Sequence, residues 1–387
     1  MTTSSQISLS LQRRSLLLSL VALALNGCRA GTYPLTVHLL DNAVPAPLLK
    51  DFSRQQPQTV QLKSRAQLSD LFRDLQTAAD QDTGDGSEAQ GSTLISLGDY
   101  WLTAAIQAKL IRPLPLGSLP GWSRLPKAWQ HLVTRSADGT PSQSGSIWGA
   151  PYRTSSLVMA YRQAELAAHG GAPADWSDLW RDDLAHKIAM LDSPRAVIGV
   201  ALKALGQDPN QSNLASVAAL EEKLTALHRN VRLYSSDAYL QPLILGDVWV
   251  AVGWATDILP LVRRNQRLGV ALPQSGTLTT TDLWVQPAVS AKGASADLQD
   301  IAKQWISFFW QPEVAARLSL LNAGVSPILF EQARASLPAP LRADEVLLPS
   351  RRILDQSSAI LPLSSQADEA YRQLWRETRR AAAAQQA

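Results

Sequence analysis

From Thr36 onward, short apolar runs alternate with amphipathic stretches, a rhythm that argues for strands alternating with helices and so for an α/β architecture. Val37 to Leu40 reads as a first strand, Pro47 to Arg54 as a helix, Val60 to Leu62 as a second strand and Ala66 to Ala79 as an amphipathic helix. Asp80 to Gly91, rich in Gly and Asp, reads as a solvated insertion before the strand Thr93 to Leu97. Asp99-Tyr100-Trp101 then opens a helix at the carboxyl edge of that strand, the position where open α/β sheets bind ligands. A low-complexity stretch from Arg135 to Ser146 precedes Ile147 to Tyr152 and the strand-like run Ser156 to Tyr161. The alternation resumes with Ile188 to Leu191, helices over Ala196 to Leu205 and Leu214 to His228, and the strand Val248 to Gly253. A Gly/Ser/Thr-rich stretch, Pro273 to Thr281, reads as a connection before the strand Leu283 to Val285. Helices over Leu298 to Trp310, Glu313 to Ser319 and Asp368 to Arg380 complete the chain.

The first 28 residues are set apart because they read as an export signal and not as structure. Arg13 and Arg14 supply its charge, and the apolar run Leu16 to Leu25 is shorter than the roughly 18 residues that a membrane-spanning helix needs. The run ends at Cys28, the chain's single cysteine. Leu25-Asn26-Gly27-Cys28 resembles a bacterial lipobox, with Asn26 the less usual member, so Cys28 is expected to carry a lipid anchor. Ordinary cleavage nearby and an uncleaved anchor are the alternatives. Gln12 to Leu17 also resembles a twin-arginine signal, which leaves two export routes open. Beyond Cys28 no cysteine is left for a disulfide, so stability must come from core burial. The formal net charge is +3, two of those charges belong to Arg13 and Arg14, and the rest are dispersed. Nucleic-acid binding, which needs basic clusters, is excluded on that ground.

Signatures of catalysis are missing. His38, His131, His169, His186 and His228 show no metal-ligand spacing, and the chain has no HExxH, G-x-S-x-G, Walker-type or GxGxxG motif. The expectation is a protein that is not an enzyme and uses no cofactor or metal. Ferric-ion binding through adjacent tyrosines is disfavoured, because none of the seven tyrosines is adjacent to another.

Twelve tryptophans stand out, several of them beside turns or strand ends. A tryptophan face attracts an ammonium by about 0.5–2 kcal/mol, although most tryptophans serve packing. The run from Trp148 to Pro327 resembles the periplasmic spermidine/putrescine-binding proteins in the order and spacing of its segments. They are Trp148-Gly149-Ala150-Pro151-Tyr152-Arg153, Trp176 to Gly206, Asn230 to Trp254 and Ala323 to Ile328. The resemblance implies a two-lobed periplasmic binding-protein fold of class II, with ligand in the cleft between the lobes, hinge closure, and delivery to an ABC permease. It also implies a periplasmic location and a monomer.

On this alignment the family's cleft tryptophans fall on Trp254 and Trp284, while three amine-binding carboxylates fall on Ser193, Ala196 and Gln286 and two aromatic positions on Leu40 and Ala43. A buried ammonium without its anion costs roughly 3–5 kcal/mol. Asp41, Asp99, Asp257 and Asp282 are therefore the candidate replacement anions, with Tyr100 beside them; each aspartate has a helix-cap or turn reading as its alternative. Arg153 and Arg195 would instead suit an anionic or zwitterionic solute such as an amino acid, aminobutyrate or aminophosphonate, and either has a hinge or surface ion-pair role as its alternative. The expected layout is a first lobe over 29–153 returning over 276–311, a second lobe over 154–275, and C-terminal helices over 312–387 packing on the second lobe. The first reading is a polyamine-type importer receptor, the second the same fold with another polar solute. A third is a lipoprotein that has lost its ligand and serves a structural or signalling role.

Overall fold

The computed structural model describes residues 35–56, 59–81, 92–288 and 296–386. The export segment, Cys28 and most of the polar stretch from Asp80 to Gly91 lie outside them.

Among the described residues the frame is an 11-stranded sheet, eight of whose strands lie on one continuous path. At one end β1 (Leu35–Leu40) runs parallel between β2 (Val60–Arg65) and β3 (Ser92–Gly98). At the other, β8 (Ile188–Met190) runs parallel between β9 (Val231–Tyr234) and β10 (Val250–Trp254). Joining them are two long antiparallel strands, β7 (Ala150–Arg162) and β12 (Leu278–Pro287). β7 pairs with β12 through Ala150–Ser156 and with β10 through Leu157–Tyr161, so it belongs to both halves.

Local chemistry explains these elements. β1 alternates buried and half-buried residues at the period of two that a covered strand requires. The helix Pro194–Ala204 starts with Ser193, whose hydroxyl accepts the Ala196 N–H, and with Pro194, whose fixed φ suits the first turn. The threonine-rich run expected as a connection is strand from Leu278 onward, because β-branched Thr279, Thr280 and Thr281 fit a pleated surface. The stretch from Arg135 to Ser146 closes a small hairpin between Thr134–Arg135 and Ser146–Ile147.

On β12, Leu283 and Val285 face Ile95, Leu97 and Trp148, while Trp284 faces the opposite way, toward Trp305 and Phe309 of the helix Ala296–Phe309. The C-terminal segment does not dock as one unit. Asn322 and Arg317 of the helix Pro312–Asn322 bond the Ala43 carbonyl and Asp51 in the first half. The helix Ser365–Gln386 packs instead on Pro194–Ala204 and Leu220–Asn230 in the second half.

Candidate functional site

Where β7 and β12 cross, the chain gathers charged side chains from both halves. Arg153 on β7 stands opposite Asp282 on β12, and its Nε and Nη2 donate to the same Oδ2 at 2.8 and 2.5 Å. Both are almost wholly buried. Beside them, Asp99 follows β3 at its carboxyl end, where its Oδ1 accepts from Thr280 Oγ1 at 2.9 Å and from the Tyr100 N–H at 3.0 Å. Its Oδ2 is buried without a partner. Burial raises the Asp99 carboxyl to about 7, and the nearby charge of Asp282 adds to the rise.

From the second half, β10 ends at the half-buried Trp254, which opens the helix Ala255–Arg264 and places Asp257 in its first turn. Asp257 Oδ2 accepts from the Tyr239 hydroxyl at 3.0 Å. Asp257 is exposed, yet enough protein surrounds its carboxyl that this crowding, with the nearby charge of Asp282, holds its pKa above the ordinary carboxylate value. Two glycines make room here: a Cβ on Gly253 would stand 2.2 Å from the Tyr239 ring, and one on Gly324 would stand 2.3 Å from Arg153 Cγ. Burial, reinforced by Asp257, also raises the Tyr239 phenol, which therefore stays a neutral donor. The two halves touch again at the rim, where Gln67 Nε2 donates to Asp237 Oδ1 at 2.8 Å.

Of the residues singled out from sequence, Asp99, Tyr100, Asp257, Asp282 and Trp254 are thus brought together, and Asp41 stands in the exposed turn after β1. Others are placed elsewhere. Trp284 is fully buried, stacked on Tyr152 with centroids 3.9 Å apart and edge-on to Trp305, so it is a core residue. Gln286 is buried further along the same strand opposite Arg112. The Ser193 hydroxyl is engaged as a helix cap. Arg195 lies over the Tyr371 ring and donates to Asn210 and the Leu361 carbonyl, which commits it to holding the C-terminal helix. Tyr239, Thr280 and Gly324 lie outside the residues singled out from sequence, and their part in the site comes from the fold, where Gly253 and Gly324 leave room for Tyr239 and Arg153.

The crossing strands also border a cavity of about 450 Å³, lined by Trp129, Thr154, Thr279, Phe330 and Arg351 among others. Trp129 stacks on Phe330 there and donates its Nε1 to Thr281, the neighbour of Thr280 on β12. Thr279 of β12 lines this cavity while Thr280 bonds Asp99, and Ser155, opposite Thr280, lines it as well. Among the described residues no group of His, Cys, Asp and Glu is arranged to hold a metal, and no helix is long and apolar enough to cross a membrane.

The chain belongs to the bacterial extracellular solute-binding proteins, whose family model matches residues 48–334. It is 24% identical over 314 residues to spermidine/putrescine-binding periplasmic protein 1 of Haemophilus influenzae, an alignment covering 81% of this chain and 80% of that one. It is 25% identical to the putrescine-binding periplasmic protein PotF of Escherichia coli, over 67% of this chain and 74% of the relative. Its fold matches the spermidine/putrescine ABC transporter substrate-binding protein PotD of Streptococcus pneumoniae with a TM-score of 0.75 at 19% identity, covering 90% of this chain and 99% of the other. The TpPotD lipoprotein of Treponema pallidum is matched at a TM-score of 0.69 and 20% identity, over 89% and 98% of the two chains. The fold is therefore the two-lobed α/β periplasmic binding-protein fold, and the chain is an extracytoplasmic solute-binding protein and not an enzyme.

Proposed function

We propose that this chain is the receptor of a polyamine-type importer, holding a small amine between its lobes and closing about the crossing of β7 and β12. The observation that carries this reading is the gathering of Asp99 and Asp257 around Asp282, the partner of Arg153, which leaves the exposed Asp257 with a neutral phenol as its hydrogen-bond partner and so an anion open to a cation between the halves. Buried cations require paired anions, and the half-buried rings of Trp254 and Tyr100 offer an organic ammonium further favourable contact. We divide the chain into one lobe over 29–153 and 276–311 and another over 154–275, with the remainder, 312–387, shared between them. We further assign a lipid anchor to Cys28 and a membrane permease as partner, on the lipobox-like segment and the family's role.

Calorimetric titration and thermal shift of the protein lacking residues 1–28, with amines, amino acids and neutral polyols, test the reading. Amines are expected to bind and to stabilise, by about 2.7 kcal/mol at a hundredfold excess over Kd, and Asp257→Asn to weaken them about tenfold or more. Silence toward every amine, with a response to another solute class, would overturn it. A zwitterionic solute is the second reading, favoured by the presence of Arg153, but its carboxylate would have to draw that arginine away from Asp282.

A further inference from the structure

We propose that Arg153 is a built-in cation standing at Asp282 in place of a ligand ammonium, so that the site selects a solute with one ammonium group over a diamine of the same length. The inference rests on the amine reading above and narrows it. Arg153 and Asp282 are direct partners across β7 and β12, and two guanidinium nitrogens converge on one carboxylate oxygen. The side chains are 5% and 8% exposed, so the pair is shielded from solvent and is not a mobile surface contact. The arginine stem is seated as well, with Cγ and Cδ running over Gly324 where no Cβ would fit, and the guanidinium lies 5.9 Å from the Tyr152 ring centroid. This seat withdraws Asp282 from the ligand.

What remains open to a ligand is anionic capacity for one cation: Asp257 is exposed and engaged by one neutral phenol, whereas the Asp99 carboxyl is buried, where desolvation favours its neutral acid. Of the other arginines, Arg195 is held under the C-terminal helix, and Arg135, which bonds Thr103 and the Leu132 and Gly139 carbonyls, lends its charge to Asp99. A second ligand ammonium would meet the Arg153 guanidinium with Asp282 already neutralised, a like-charge arrangement that discriminates against the diamine. A ligand carboxylate, for its part, would face Asp99, Asp257 and Asp282 together.

The test compares N-acetylputrescine with putrescine, which share a four-carbon spacer and differ in carrying one ammonium or two, by calorimetry on the protein lacking residues 1–28. N-acetylputrescine is expected to bind about tenfold tighter or better. Arg153→Met, similar in length and uncharged, is expected to shift that ratio toward putrescine by a further tenfold, provided its circular dichroism and melting show a folded protein. Equal or tighter binding of putrescine by the parent, or an unchanged ratio in the folded variant, overturns the role of Arg153 and leaves the amine reading standing. Absence of binding by both probes to both proteins overturns the two together. If Arg153→Met does not fold, the ratio measured on the parent protein still decides.

Discussion

At the scale of single residues, the most informative group is Asp99, because its pKa of about 7 against an ordinary 3.8 ties stability to pH. The folded state prefers the protonated acid, so this contribution is fully present below pH 3.8 and is lost as the pH rises through about 7. Asp99→Asn removes the dependence. Between pH 4 and pH 8, urea unfolding should show the variant gaining up to about 4 kcal/mol relative to the parent, from ~1.4 kcal/mol per pKa unit. An unchanged difference would mean that Asp99 is ionised in the fold. Asp99 and Asp257 were legible in the sequence as anions at helix starts after strands, where open α/β sheets place ligands, whereas Asp282 sits inside β12 and not before a strand beginning at Leu283 as the sequence reads. Trp284 was misleading because residue type alone does not separate a cleft ring from a core ring. It shares a face of β12 with Asp282, but two residues further on, roughly 7 Å along the strand, that face is already under the helix Ala296–Phe309.

The elements that bring these residues together were legible as strands and helices, but their joining was not. β7 continues through both halves as 13 residues of strand, where the sequence reads as strand only from Ser156 to Tyr161. Pro151 is tolerated because β7 has an irregularity there, with the register against β12 stepping from Arg153 to Pro151 between Asp282 and Leu283. The loop after the helix Pro312–Asn322 bonds to the same region through the mutual pairing of Thr154 and Val325, with N–O distances of 2.7 and 2.8 Å. Gly324 lies between those contacts and the Arg153 stem. Gly324→Ala should therefore displace the arginine from Asp282, destabilise the protein by about 1–3 kcal/mol and move the monoamine-to-diamine ratio in the same direction as Arg153→Met. Chemical denaturation and calorimetry on the one variant read both effects, and a stability loss with no change in ratio would separate packing from selectivity.

For the whole molecule, the two lobes communicate through the crossing strands and through the rim bond from Gln67 to Asp237. A hydrogen bond of this kind contributes about 1 kcal/mol, so Gln67→Ala should weaken ligand binding about fivefold through the closed population. X-ray scattering should show the ligand-free variant with a larger radius of gyration than the parent, and equal radii would mean that the rim bond does not govern closure. The second lobe has a further property. Its helices Pro194–Ala204 and Leu220–Asn230 are covered by Ser365–Gln386, fastened by Tyr371 to the Pro209 and Gln211 carbonyls and by Trp375 to Asp192. Its cover therefore follows in the chain everything that it covers, so during synthesis the lobe exposes an apolar flank until that helix emerges. A chaperone, or an export route that postpones folding, has that interval in which to engage it.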